Sequence, residues 1–169
     1  MRTANAILFL VWAVVLFVIQ SSGLGISTAF RTCDAGVILL IYLGLCHSLL
    51  VAAPTVLFSA MLMDSFSGAA PGAFLLLYCA LFALAYFGGK KMDLRFWLYR
   101  IVAVFILDIS FRVLIPGLVS FPYDPVFVPE ARTFRNSVLT AAASPLLFLL
   151  FDRSETWVES LISDQRGQG

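Results

Sequence analysis

Long apolar runs separated by short polar segments are the feature that most constrains this chain. Six runs can be marked, at residues 6–19, 35–53, 54–63, 71–87, 96–119 and 138–151. A helix that crosses a membrane needs about 20 mostly apolar residues. Hydrophobic residues make up 61% of the 169 residues and charged residues only 12%, whereas an average soluble domain is about a quarter charged. The sequence therefore predicts an all-α integral membrane protein and excludes a water-soluble globular one.

The number of membrane helices depends on residues 35–63. This segment is too short for two full-length helices and too long for one untilted helix. One interpretation is a single long helix kinked at Pro54, and the other is two short helices that turn near His47 and Ser48. Proline removes a backbone hydrogen bond and favours a break, but it does not choose between the two. From the residues alone, a six-helix bundle and a five-helix bundle both stay open.

We predict one transmembrane helical domain over residues 1–153 and a short cytoplasmic tail over residues 154–169. Lys and Arg are enriched in cytoplasmic loops. With either helix count, seven basic residues fall on one side of the membrane and three on the other. This excess places the loop at residues 90–100 and the C-terminus in the cytoplasm and leaves the N-terminal half undecided. Trp157, Leu161 and Ile162 give the tail an apolar side that suits a membrane surface.

Two charged residues, Asp108 and Arg112, lie deep in the fifth apolar run. A spacing of four places both on one helix face, with the acid before the base, which is the better order for an ion pair. A charge at the centre of a membrane helix costs roughly 2.5–3.5 kcal/mol and so needs a reason. The plainer interpretation is an ion pair satisfied within one helix. The functional interpretation is a polar contact to another helix or partner, or a proton or substrate site.

A polar segment joins the third and fourth runs. Asp64 ends one helix, Ser67 and Gly68 begin a turn, and Pro71 suits the first turn of the next helix, where its missing donor costs nothing. Asp64 and the serines can accept hydrogen bonds from the free amides at that helix start. Gly68 and Gly72 form a G-x-x-x-G pattern, but at a helix start turn geometry outranks helix dimerisation. The segment predicts a capped turn.

Several functional classes find no support in the residues. The net charge of +1 provides no basic surface for nucleic acid. Cys33, Cys46 and Cys79 are widely spaced, and the single histidine, His47, has no partner for a zinc site. The nucleophile, zinc-protease and phosphate-binding motifs do not occur. We therefore predict no enzyme activity, no catalytic residue, no metal and no cofactor.

Three segments, taken in this order, resemble the rod shape-determining protein MreD family. They are VILLIY at residues 37–42, LMDSFSGAAPG at residues 62–72 and LD at residues 107–108. The resemblance covers roughly residues 5–153. The residues that match the family pattern by position are Asp64, Ser67, Gly68, Gly72 and Asp108. The chain departs from that pattern at residues 31–34, which read RTCD where the family has Arg-Pro followed by Asp or Asn.

The resemblance implies six membrane helices with both termini in the cytoplasm, in the bacterial inner membrane. It implies a scaffold without catalytic activity in the cell-elongation machinery, which regulates cell shape and peptidoglycan synthesis. The implied partners are MreC, MreB and the lateral-wall synthases, with membrane lipid around the helices.

A second hypothesis comes from a different class of protein. The substrate-binding membrane subunit of an energy-coupling-factor vitamin transporter resembles this chain in size and in having about six helices. In that case Asp108 and Arg112 would line a ligand pocket that opens outward, and the loop at residues 122–129 would act as its lid. A bound vitamin would distinguish this hypothesis from the scaffold.

Overall fold

The computed structural model describes residues 2–21, 33–67, 71–91, 97–119 and 131–167. These residues form α-helices and no β-strand, which confirms the predicted all-α bundle of six helices. The helices are α1 (Arg2–Ser21), α2 (Ala35–Cys46), α3 (Leu49–Ser67), α4 (Ala73–Lys91), α5 (Trp97–Val119) and α6 (Ala131–Gly167).

Four helices within the described residues are long and apolar enough to cross a membrane. These spans are Thr3–Ser21, Leu49–Phe66, Ala73–Lys90 and Ala131–Ser163. Helix α5 has 23 residues but carries three charged side chains, Arg100, Asp108 and Arg112. The chain is thus a helical membrane protein in which one long helix brings charge into the bundle.

The segment at residues 35–63 forms two helices, α2 and α3, that turn at His47 and Ser48. Helix α2 ends because His47 has extended backbone angles, φ −116° and ψ 161°. The Ser48 carbonyl then accepts hydrogen bonds from the amides of Val51 and Ala52, at 3.0 and 3.1 Å, and starts α3. Pro54 lies inside α3 without ending it, as membrane helices allow. The third apolar run therefore begins at Leu49 rather than at residue 54.

Helix α2 is the centre of the bundle. Its residues from Val37 to Gly44 are all buried, so that it is apolar and covered on every side, and it contacts the other five helices. Its 12 residues span about 18 Å, which is shorter than the bilayer core of about 30 Å. Helix α2 is therefore an internal packing element rather than a complete membrane span.

Close approach of α2 to α4 depends on Gly44. A methyl group added there would lie 2.7 Å from the Ala85 Cβ and 3.2 Å from the Phe82 carbonyl oxygen and the Tyr86 amide nitrogen. Small residues at helix contacts let backbones pack closely where no hydrophobic force between helices is available. Gly44 thereby sets the distance between the central helix and α4.

Helix α6 continues well beyond the sixth apolar run. Its 37 residues extend over about 55 Å, more than the bilayer core requires. The tail predicted from residue 154 onward is helical through Gly167 and forms one piece with the membrane span. The C-terminal turns of α6 are therefore held in a fixed direction relative to the bundle.

Candidate functional site

An ion pair between α5 side chains is the core of the candidate site. The Arg112 Nε–H donates to Asp108 Oδ2 at 2.8 Å, and the Asp108 side chain is 0% exposed. The Arg112 Nη2 group also donates to the Thr140 hydroxyl of α6, at 3.3 Å. The pair predicted within one helix is therefore closed, and it connects that helix to α6.

The start of α2 joins the same cluster. The Asp34 backbone amide donates to the Thr140 hydroxyl at 3.4 Å. The Asp34 carboxylate accepts from the Val37 amide at 3.2 Å and thereby caps α2. The Gln20 side chain, near the end of α1, donates to the Cys33 carbonyl at 3.2 Å. The cluster thus links α1, α2, α5 and α6 at one end of the bundle, which we call the Asp34 end.

Several buried acceptors at the Asp34 end have no hydrogen-bond partner. Among the described residues these include Asp108 Oδ1, Asn136 Oδ1 and Ser137 Oγ. Most buried polar atoms in proteins are hydrogen-bonded, so each such atom calls for an explanation. Two carboxylates lie in this cluster: Asp108 pairs with the Arg112 guanidinium, and Asp34 caps α2. Chemically, the cluster suits a ligand or partner group that donates hydrogen bonds or carries positive charge.

The sequence patterns indicated Asp108 and Arg112 but not their partners. Asn136, Thr140 and Ser144 recur every four residues in the first half of α6. That spacing is the signal that points to a polar stripe on one face of α6. For Asp34, the sequence indicates only a helix cap, because an aspartate directly precedes an apolar run. Neither pattern indicates which helix the polar face contacts.

Asp64 forms a separate structural joint between α3 and α4. Its carboxylate accepts hydrogen bonds from the amides of Gly72, Phe74 and Leu75, at 3.1, 2.8 and 3.3 Å. Gly72 has φ +86°, a backbone conformation that favours glycine. Ser67 is the last residue of α3, and Gly68 lies outside the described residues. Asp64 and Gly72 lie together, apart from the Asp108 cluster.

A second polar cluster lies at the opposite end of α2, which we call the His47 end. The Asn5 amide of α1 donates to the Glu155 carboxylate of α6, and His47 Nε2 lies 3.5 Å from the other Glu155 oxygen. The Tyr42 hydroxyl donates to the Asp152 carboxylate. Burial lowers the pKa of His47, and the Asp152 carboxylate opposes this only in part. The cluster joins α1, α2 and α6.

The described residues form polar clusters through hydrogen bonds and charge pairs. No group of three or more His, Cys, Asp or Glu side chains within them could hold a metal ion, and their three cysteines are free thiols. A small cavity of about 20 Å³ lies between Gln20, Gly36 and Tyr78 and has room for about one water molecule. The loop at residues 122–129 lies outside the described residues.

Comparison with known proteins adds no relative. The chain matches no protein-family model, no curated protein and no solved structure.

Proposed function

We propose that this protein is a non-catalytic scaffold of the bacterial cell-elongation machinery, similar to MreD, in the inner membrane. The proposal starts from the ordered motifs that resemble that family. In this role the chain would work through helix–helix and loop contacts with MreC, MreB and the wall synthases, and regulate cell shape and peptidoglycan synthesis.

The observation that carries the proposal is the set of hydrogen bonds that the Asp64 carboxylate accepts. Three backbone amides at the start of α4 share its carboxylate. A carboxylate occupied in this way holds two helices in a fixed arrangement and is not available as a base or nucleophile. A scaffold needs such joints because its contact surfaces must keep their shape.

Outward-facing apolar side chains supply a surface for membrane partners. Large side chains such as Leu50 of α3, Leu84 of α4 and Ile106 of α5 are exposed. In a bilayer they would contact lipid or the membrane anchor of a partner such as MreC, because helices associate there through close packing. The excess of basic residues at residues 90–100 supports cytoplasmic termini for a six-helix chain.

Depletion of the protein in a rod-shaped host tests the proposal. We expect depleted cells to lose their rod form and to regain it when the wild-type chain is supplied again. Tagged protein isolated from mild detergent should retain MreC. Depleted cells that keep their rod form would overturn the proposal.

A second candidate function is substrate binding in an energy-coupling-factor vitamin transporter. The observation that favours it is the convergence of Asp34, Asp108, Arg112 and Thr140 at one end of the bundle, with unpartnered buried acceptors beside them. Protein purified from vitamin-rich medium would then carry a bound vitamin, and Asp108→Asn would release it. Protein that emerges empty and shows no thermal shift with added vitamins would contradict this function.

A further inference from the structure

A groove of about 470 Å³ lies between α1 and α6, beside the His47 end. Trp12 of α1 forms one wall, and Leu150, Arg153, Ser154, Trp157 and Ser160 of α6 are among the residues that line the rest. The Trp12 ring nitrogen donates to the Ser154 hydroxyl at 3.1 Å and closes the floor. Trp157 is 64% exposed. The groove thus combines two indole rings, a cation and hydroxyl groups.

The charges of α6 are sorted between two faces. Leu150, Arg153, Trp157 and Ser160 follow one another at helical spacing on the groove side. The acidic residues Asp152, Glu155 and Glu159 follow the same spacing about half a helical turn away. Two of the three carboxylates, those of Asp152 and Glu155, are occupied by contacts inside the bundle.

Among the described residues, Arg153 has no counterion. It is exposed, and it belongs neither to the His47–Glu155 pair nor to the Asp108–Arg112 pair. The acids of the same helix segment lie on the other face, so the groove has a local positive charge. An anion that binds there is attracted by this positive charge and is not repelled by any carboxylate in the groove lining.

The groove also runs from apolar to polar along α6. Leu150 lies near the end of the sixth apolar run, Arg153 and Trp157 follow about one and two turns later, and Ser160 comes after them. Tryptophan is enriched where hydrocarbon meets the headgroup region of a bilayer, and long basic side chains extend toward that region. This order of side chains matches the order of parts in a phospholipid, from acyl chain to phosphate.

We propose that the groove binds one anionic phospholipid. The phosphate pairs with the Arg153 guanidinium, the polar headgroup beyond the phosphate lies against the Trp157 ring, and an acyl chain follows Trp12 and Leu150 toward the bilayer interior. A lipid seated there contacts both α1 and α6 and holds the first and last helices together. The proposal depends on the membrane character of the chain and not on its role in cell elongation.

Native mass spectrometry of the full chain in detergent tests the site. We expect phosphatidylglycerol to remain bound more strongly than phosphatidylcholine with the same acyl chains. A basic residue at an anionic lipid surface contributes about a fivefold change in affinity. Arg153→Gln should therefore bind phosphatidylglycerol roughly fivefold more weakly, and Arg153→Lys should retain most of the binding.

Arg135→Gln is the matched control, because Arg135 is an exposed arginine nearer the other end of the same helix. It should bind phosphatidylglycerol as the wild type does. Trp157→Ala should weaken the binding of both lipids equally, because it removes an uncharged side chain that lines the groove. Soluble glycerol phosphate should not displace the lipid at millimolar concentration.

Three outcomes would overturn the proposal. Equal binding of the two lipids would remove the role of charge, and equal effects of Arg153→Gln and Arg135→Gln would remove the role of the groove. Displacement of the lipid by soluble glycerol phosphate would show a site for free anions instead. The variants should melt at the same temperature as the wild type. A loss of lipid binding then comes from the site and not from unfolding.

Discussion

Asp108 and Arg112 illustrate how single residues set the energetics of this bundle. The Asp108 carboxylate is completely buried, while the Arg112 side chain is 21% exposed. Moving both charges out of water costs several kcal/mol, and the attraction between them offsets that cost only when the geometry is good. Breaking the pair is therefore more harmful than replacing it, because a lone buried carboxylate has no compensation.

Arg112→Leu tests this asymmetry. We expect it to lower the free energy of unfolding by about 3 kcal/mol, measured by denaturant titration in mixed micelles. The double variant Asp108→Leu with Arg112→Met should recover most of that loss, because no unpaired charge stays behind. Arg135→Gln, on an exposed site of α6, serves as the control. A double variant as unstable as Arg112→Leu would contradict the expected mechanism.

Asp64→Ala should destabilise the joint between α3 and α4. Loss of a helix-capping side chain costs about 1–2 kcal/mol, and the Asp64 carboxylate holds three amides. The free energy of unfolding measures the effect. Ser65→Ala is the control, because its exposed hydroxyl bonds only within α3, to the Met61 carbonyl. Equal effects of the two changes would argue against the cap.

His47 should make stability depend on pH. Burial lowers its pKa below the value of 6.5 that the imidazole has in the unfolded chain. The unfolded chain therefore takes up a proton first as the pH falls, and the folded protein loses stability below about pH 6.5. His47→Gln should remove this part of the pH dependence.

The measurement is the melting temperature of the wild type minus that of His47→Gln, taken between pH 8 and pH 5.5. We expect this difference to fall as the pH falls. The carboxylates that face His47 are Glu155, at 3.5 Å, and Asp152. A wild type that gains stability over His47→Gln at low pH would show that these carboxylates outweigh burial.

At the level of single helices, α2 departs most from what the sequence pattern predicts. The apolar run at residues 35–53 covers α2, the turn and the start of α3, so that a helix of only 12 residues forms at its beginning. Of the two predicted alternatives, the turn near His47 and Ser48 is the one that forms. The apolar character continues through the break, so periodicity carries no signal for it. The extended backbone of His47 ends α2, and the ring of that residue packs beside Phe9 and Tyr42, with centroid distances of 4.7 and 5.3 Å. Contacts with other helices accompany this break.

Gly44→Ala should disrupt the packing of α2 against α4. The added methyl group would meet the Ala85 Cβ at 2.7 Å and backbone atoms at 3.2 Å, so one helix must shift. Overpacking of this kind costs about 1–3 kcal/mol. Gly88→Ala is a matched control on α4, because a methyl group there meets nothing within 4 Å. Similar melting temperatures for the two variants would contradict close packing at Gly44.

At the scale of the whole molecule, the two polar clusters lie at opposite ends of the central helix. Asp34 caps the start of α2, and His47 ends it. Leu45, near the end of α2, lies against Gly89 of α4, so the His47 end is also the end at which the basic loop begins. The charge distribution then predicts that the His47 end faces the cytoplasm.

Labelling of single cysteines tests that orientation. In a chain whose Cys33, Cys46 and Cys79 are replaced by alanine, a cysteine at Ser163 should react with a membrane-impermeant maleimide only after cell lysis. A cysteine at Ala131, at the other end of α6, should react in intact cells. The reverse pattern would show that the chain has the opposite orientation.

The sequence by itself determined the class of protein, the number of helices to within one, and the i, i+4 pair on α5. Each of these depends on local composition and spacing, which a linear chain already contains. Only the tertiary structure decided that α2 is short and central, that Asp34 and Thr140 join Arg112, and that Arg153 faces a groove with no counterion among the described residues. These facts depend on which helix faces meet, and in an evenly apolar chain many faces are nearly equivalent until close packing and polar contacts select among them.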